Sequence, residues 1–293
     1  MKTSLFIAHA LSVGAAVGLL AGCGASDRYV ALSTSPAAVA PPQVRAKRLS
    51  PIIYAIGAFD GTLYGYSQKP GHRLLVKVGA LSLAADVYVD PARHVYVSNG
   101  GSVPEFTAHG KPLQTFDDTG HDADGIALCP NDTLYVANAE GDSISEYAHE
   151  STEPTGAIVD SGTQVFHVAC DSKSDLFVTI GGKPGAVDEF PAGSSTPINL
   201  PIRLNFPEGI AVDRSDDVVV ANGTTIDFYR VGASKPFKQI AVPDSTIDVA
   251  FDASDRYVWA TTNAGLEKFS VTSGSRTDEI SGSFGFIAAS PRD

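Results

Sequence analysis

The chain repeats itself every 40 residues or so, and that period constrains its fold more than any other feature. The segments DVYVDPARHVYVSNG (86–100), GIALCPNDTLYVANA (125–139), HVACDSKSDLFVTIG (167–181), GIAVDRSDDVVVANG (209–223) and DVAFDASDRYVWATT (248–262) share one frame. Each has a short apolar run, a polar turn and a second apolar run. The first run ends at Asp90, Cys129, Asp171, Asp213 and Asp252, and a last partial copy ends at Ser290, giving intervals of 39, 42, 42, 39 and 38 residues. A fixed period of this length, built of short β-like runs, marks propeller blades: one unit cannot bury its apolar faces alone and must stack on its neighbours.

Each unit divides into four strand-like runs separated by turn residues; in the second copy they are 126–128, 134–137, 143–147 and 155–159. Pro112, Pro154, Pro197 and Pro236 stand at the opening of the fourth run. Proline cannot donate to a ladder, so this position fits the outer edge of a blade. Residues 52–56, 62–66 and 74–78 supply three strands of a unit without its first, and residues 286–289 supply a first strand alone. The expectation is an all-β fold: a six-bladed β-propeller over 51–293, four antiparallel strands per blade. The ring is closed by the N-terminal three strands plus the C-terminal strand. The GIAVD, LYVAN and ISEY elements of this rhythm resemble NHL-repeat and YVTN-type β-propellers, a resemblance that implies fold rather than activity.

Residues 1–22 read as a signal peptide, with Lys2 ahead of an apolar run from Leu5 to Leu20. Leu20-Ala21-Gly22-Cys23 resembles the lipobox of bacterial lipoproteins. That resemblance implies acylation of Cys23, anchoring in a lipid bilayer of the cell envelope and, with Gly24 rather than Asp after the cysteine, the outer membrane. Residues 23–50, rich in Ala, Ser and Pro, read as a flexible tether. Net charge is −12, but residues 1–50 hold five of the 21 basic and one of the 33 acidic residues, so 51–293 carries −16. A domain this acidic lacks the basic footprint that a nucleic-acid partner requires.

Asp86, Asp124, His167, Glu208 and Asp248 stand where chain enters the first strand of a unit, and in a propeller these entries converge on the central channel. Three readings are open. A carboxylate can cap the turn into its strand. Converging carboxylates can hold Ca²⁺ or Mg²⁺. They can also serve catalysis: Asp124-Gly125 and Glu208-Gly209 resemble the metal-holding elements of six-bladed, calcium-dependent lactonases of the gluconolactonase type. In that family the remaining ligands are Asn, where this chain has His167 and Asp248. Streptogramin-type lyases, also six-bladed, imply a second version in which His167 and Glu208 form the acid–base pair. The expected role is a ligand- or protein-binding platform for a small molecule, glycan or protein; the alternative is a metal-dependent lactonase or lyase.

Cys129 and Cys170 fall near the ends of equivalent first strands in adjacent units. Opposite parity allows both thiols into one interface, so a disulfide and two separate buried thiols both fit. The loop 117–125, with four Asp and His121, reads as a solvated loop or a weak cation site. His72, His94, His109 and His149 read as surface or turn residues, and Trp259 as core between units. No nucleophile elbow, Walker loop or dinucleotide fingerprint occurs.

Overall fold

The structure, a computed structural model, describes residues 50–119, 121–148, 151–159, 164–182 and 184–291. The expected signal peptide, the lipidated Cys23 and the tether up to residue 49 lie outside the described residues. Every described element is a strand, and each sheet is antiparallel.

The first sheet joins β1 (Ile52–Gly57), β2 (Leu63–Ser67) and β3 (Leu74–Val78) to the last strand of the chain, β22 (Phe284–Ala289), in the order β22-β1-β2-β3. This is the expected closure of the ring. Ile53, Tyr54 and Ala55 pair with Ala289, Ala288 and Ile287, and the Ile52 amide donates to Ser290 Oγ at 2.9 Å. Three further sheets follow in chain order. They hold β4 (Ala84–Val89), β5 (Val95–Asn99), β6 (Ser102–Phe106) and β7 (Pro112–Asp117); β8 (Ala123–Leu128), β9 (Leu134–Asn138), β10 (Ser143–Tyr147) and β11 (Gly156–Val159); and β12 (Val165–Cys170), β13 (Leu176–Ile180), β14 (Ala186–Phe190) and β15 (Ile198–Asn199). The prolines ahead of β11 and β15, and Pro112 at the start of β7, do sit on outer edges. Pro104 does not: it lies inside β6, and the ladder to β5 is reduced to Val95–Phe106 and Tyr96–Glu105.

The remaining strands form one six-stranded sheet: β16 (Pro207–Val212), β17 (Val218–Tyr229), β18 (Lys238–Phe251), β19 (Tyr257–Thr262), β20 (Gly265–Ser270) and β21 (Arg276–Ser281). The expected six blades are therefore corrected to five sheets. Two repeat units run together because their connections are short. Gly223-Thr224 is the whole hairpin inside β17, and only 243–245 separate the two halves of β18, so the chain stays extended through both. A Gly223–Thr246 pair then ties the units edge to edge. The sheet folds back on itself over a cluster that includes Ala221, Phe228, Ile240, Val249, Val258 and Phe269. The other apolar clusters lie between successive sheets.

Around the axis, β4, β8, β12, β16, the second half of β18 and β22 each pack on the next, with β22 returning to β4. The end of the ring where these strands begin is called here the entry end, and the other the exit end. Antiparallel alternation puts the turn after each axial strand at the exit end. There the repeat's aspartates find their role: Asp90, Asp171, Asp213 and Asp252 accept backbone amides within their own turns, such as His94 N to Asp90 at 2.7 Å and Asp175 N to Asp171 at 2.9 Å. Arg93, Asp132, Ser174, Asp216 and Asp255 occupy the positive-φ place of those turns.

Candidate functional site

Aligned on the axial strands, the positions that meet at the axis are Asp86, Gly125, His167, Gly209, Asp248 and Phe286. The five sequence candidates thus fall on two levels. Asp86, His167 and Asp248 share one position, whereas Asp124 and Glu208 stand one residue earlier, nearer the entry end.

At the lower level two of the six units are restricted to glycine. A Cβ on Gly125 would come within 2.5 Å of His167 Cα, and one on Gly209 within 1.8 Å of Asp248 Oδ1, so neither unit can carry a side chain there. Three of the four units that do carry one support it with a hydroxyl on the second strand; the Phe286 unit has Ile56 there. The amides of Asp86, His167 and Asp248 donate to Ser98, Thr179 and Thr261 at 2.7, 3.0 and 2.9 Å. Ala137 and Ala221 stand at that place in the glycine units.

Asp86 and Asp248 are stitches between neighbours. Asp86 accepts the amides of Val87 (2.7 Å) and, on the next axial strand, Ile126 (2.9 Å). Asp248 repeats the pattern with Val249 (2.7 Å) and Ile287 (2.9 Å). Burial, and then the charge of Asp248, nevertheless holds Asp86 well above the usual carboxylate range. Burial pushes Asp248 up to about 7 against the two amides that favour its ionised form, with Glu208 and Asp124 adding to the rise.

His167 and Phe286 close the axis. They come from units on opposite sides of the ring, and their rings stack with centroids 4.4 Å apart. Burial lowers the imidazole to about 3, so His167 is neutral at physiological pH. Its Nδ1 lies 3.7 Å from Asp86 Oδ2 and its Nε2 3.9 Å from Asp124 Oδ1. Nε2 is buried with no hydrogen-bond partner among the described residues. Above the stack, burial, then Asp122 and Glu208, raises Asp124 to about 7, and burial also raises Glu208.

Below the stack runs an axial channel of about 490 Å³. Asp86, His167 and Asp248 form its floor; Tyr88, Val89, Leu128, Ala169, Ala211 and Phe251 are among its walls; Pro91 and Pro130 lie at its exit-end rim. Cys129 and Cys170 line it as a disulfide between β8 and β12, with Cα atoms 5.4 Å apart.

These residues do not fit the Ca²⁺ or Mg²⁺ site raised by the sequence. Among the described residues no three His, Cys, Asp or Glu side chains gather to hold a metal ion, and the oxygens of Asp86 and Asp248 are turned to backbone amides. Nor is the lyase-type pair assembled: the carboxylates in contact with His167 are Asp86 and Asp124, not Glu208. In the 117–125 loop Asp118 is held by side chains of the neighbouring strand, although its Oδ2 has no hydrogen-bond partner among the described residues. Asp118 is buried and accepts Ser145 Oγ at 2.7 Å and Tyr147 Oη at 2.8 Å. His72 lies 2.9 Å from Asp278 and edge-on to Trp259, which is fully buried; His94 lies 2.7 Å from Glu105. Phe286 stands with Gly285 at the sixth entry in the sequence frame but was not selected as a site residue, and the hydroxyl supports were missed. The shared frame of the axial strands carries the signal for both.

With this geometry the chain defines a β-propeller, and the comparisons agree. No family model and no curated protein matches it. Among solved structures, a chain of a nidogen/laminin complex superposes with a TM-score of 0.70 at 12% identity, over 82% of this chain and 98% of that one. A protein of unknown function from Bacteroides caccae gives 0.65 at 11%, over 82% and 99%. Identities this low show the fold alone.

Proposed function

We infer that the protein is a binding platform of the bacterial envelope, lipid-anchored through Cys23, with a small-molecule site in the axial channel. The observation that supports this reading is a blind channel of about 490 Å³ whose walls are largely apolar and whose floor is polar and buried. Few convergent polar groups at the end of an apolar cavity are what a small-ligand site needs. The His167–Phe286 stack closes the entry side, so ligand enters past Pro91 and Pro130. A neutral imidazole beside the raised carboxylates of Asp86 and Asp248 on the channel floor favours an uncharged ligand with an apolar body and one hydrogen-bonding head. Anchoring rests on the Leu20–Cys23 motif, and loss of fatty-acid labelling in Cys23→Ser tests it.

The channel is tested with N-phenyl-1-naphthylamine, a neutral apolar fluorophore. The reading expects saturable one-to-one binding that Ala211→Phe, which fills the wall, abolishes without lowering the melting temperature. Binding that is non-saturable, or unchanged in Ala211→Phe, contradicts it.

A further inference from the structure

The entry end of the ring holds a second surface, distinct from the channel mouth. Antiparallel alternation brings together here the loops that lead into the axial strands and the hairpins between second and third strands. Among the described residues these loops and strand starts carry eight carboxylates at least partly open to solvent: Asp60, Asp117, Asp122, Asp124, Glu140, Asp142, Glu208 and Asp244. Arg203 is the cation of these loops among the described residues, and Lys77 lies over the Tyr64 ring beside Asp60. The exit end is mixed, with Lys69, Arg73, Arg93, Lys111, Lys173, Arg214, Arg230, Lys235 and Arg256 among its acids. Of the two ends, the entry end therefore carries the larger excess of negative charge.

The same end exposes large apolar side chains. Phe59 is 93% exposed, Leu83 64% and Phe206 60%. Phe59 and Leu83 sit on one side of the axis; Phe206 sits on the other, beside a groove of about 640 Å³ lined also by Leu204, Asn222 and Thr224. Between them the funnel descends to Asp124 and Glu208 and ends on the His167–Phe286 stack. His167, 3% exposed, keeps its Nε2 unpartnered and directed at Asp124.

We propose that the entry end docks a basic, apolar polypeptide segment, one of whose cationic side chains enters the funnel between Asp124 and Glu208 above Phe286. Charge complementarity selects the segment's sign. Exposed aromatic and aliphatic anchors give it places to bury side chains, as interface hot spots do. The funnel supplies two carboxylates for one ammonium or guanidinium group. The described chain begins at Ser50, at the exit end, away from this surface. Anionic lipid would repel this end and is not the partner.

The test uses the full-length protein immobilised through a C-terminal tag, the exit end again. The probe is a capped decapeptide of Lys, Leu and Phe, compared with the same peptide carrying Glu for Lys and with spermidine. The expected results are saturable binding of the Lys peptide, at least ten-fold weaker in Asp124→Asn/Glu208→Gln and in Phe206→Ser, and weakened by salt. N-phenyl-1-naphthylamine binding stays unchanged in both variants, which separates this surface from the channel. Equal binding of the Glu peptide, spermidine binding as tightly as the Lys peptide, or indifference to both variants overturns the proposal.

Discussion

Replacing Cys129 and Cys170 together by alanine removes the one covalent link between two sheets seen among the described residues. The bridge closes a loop with a sequence separation of 41. Chain-entropy reasoning gives such a cross-link a stabilisation of about 4 kcal/mol, through restriction of the unfolded chain. For a ring of this size each kcal/mol shifts the melting temperature by about 2–4 °C, so the double variant should melt roughly 8–16 °C lower. Alanine is the right replacement because Cys129 is buried in an apolar cluster, where serine would add an unpaired hydroxyl. The assay is thermal unfolding by circular dichroism, with and without reductant. Reductant should lower the wild-type transition towards that of the variant and leave the variant unmoved. A double variant melting within about 3 °C of wild type, with no response of wild type to reductant, would refute the argument that this bridge restrains the ring.

Three further outcomes follow from the same structure. Deleting residues 284–293 removes β22, unpairs β1 and takes away Phe286, so limited trypsin digestion should cut the ring much faster; an unchanged pattern counts against closure. Thr261→Val leaves the buried Asp248 amide without its acceptor and should cost about 1–3 kcal/mol by urea unfolding, whereas a loss below about 0.5 kcal/mol contradicts the support role. Stability should rise as pH falls from 8 towards 5. Asp124 and Asp248, raised to about 7, and Asp86, also raised, bind protons in the folded state before the unfolded chain does. His167, lowered to about 3, opposes this only from about pH 6.5 downward, where the unfolded chain takes the proton. The melting temperature should therefore peak near pH 4–5; a monotonic fall from pH 8 contradicts these directions.

Much of the fold was legible because a 40-residue period leaves few alternatives. The prolines before the fourth runs and the split first unit even showed how the ring closes. The merging of two units was harder to read. It depends on the length of the links at 223–224 and 243–245, which the periodic frame averages away. At the site, residue types were legible and geometry was not. Asp124 and Glu208 group with Asp86 only while the frame is counted loosely; shifting by one residue puts glycines at the axis and the acids above it. The pairing of His167 with Phe286 spans the ring, and no local pattern announces a contact between opposite units. The stitches made by Asp86 and Asp248 cross to neighbouring strands in the same way, about 40 residues along the chain.

The most direct test of the channel reading is the imidazole ¹⁵N spectrum of His167, recorded across pH and then with N-phenyl-1-naphthylamine. A neutral His167 down to about pH 4, with signals that shift as the fluorophore saturates, is the result expected of a buried floor that contacts ligand. A midpoint near 6.5, or signals unmoved by saturating fluorophore, would contradict the assignment of the axial channel as the site.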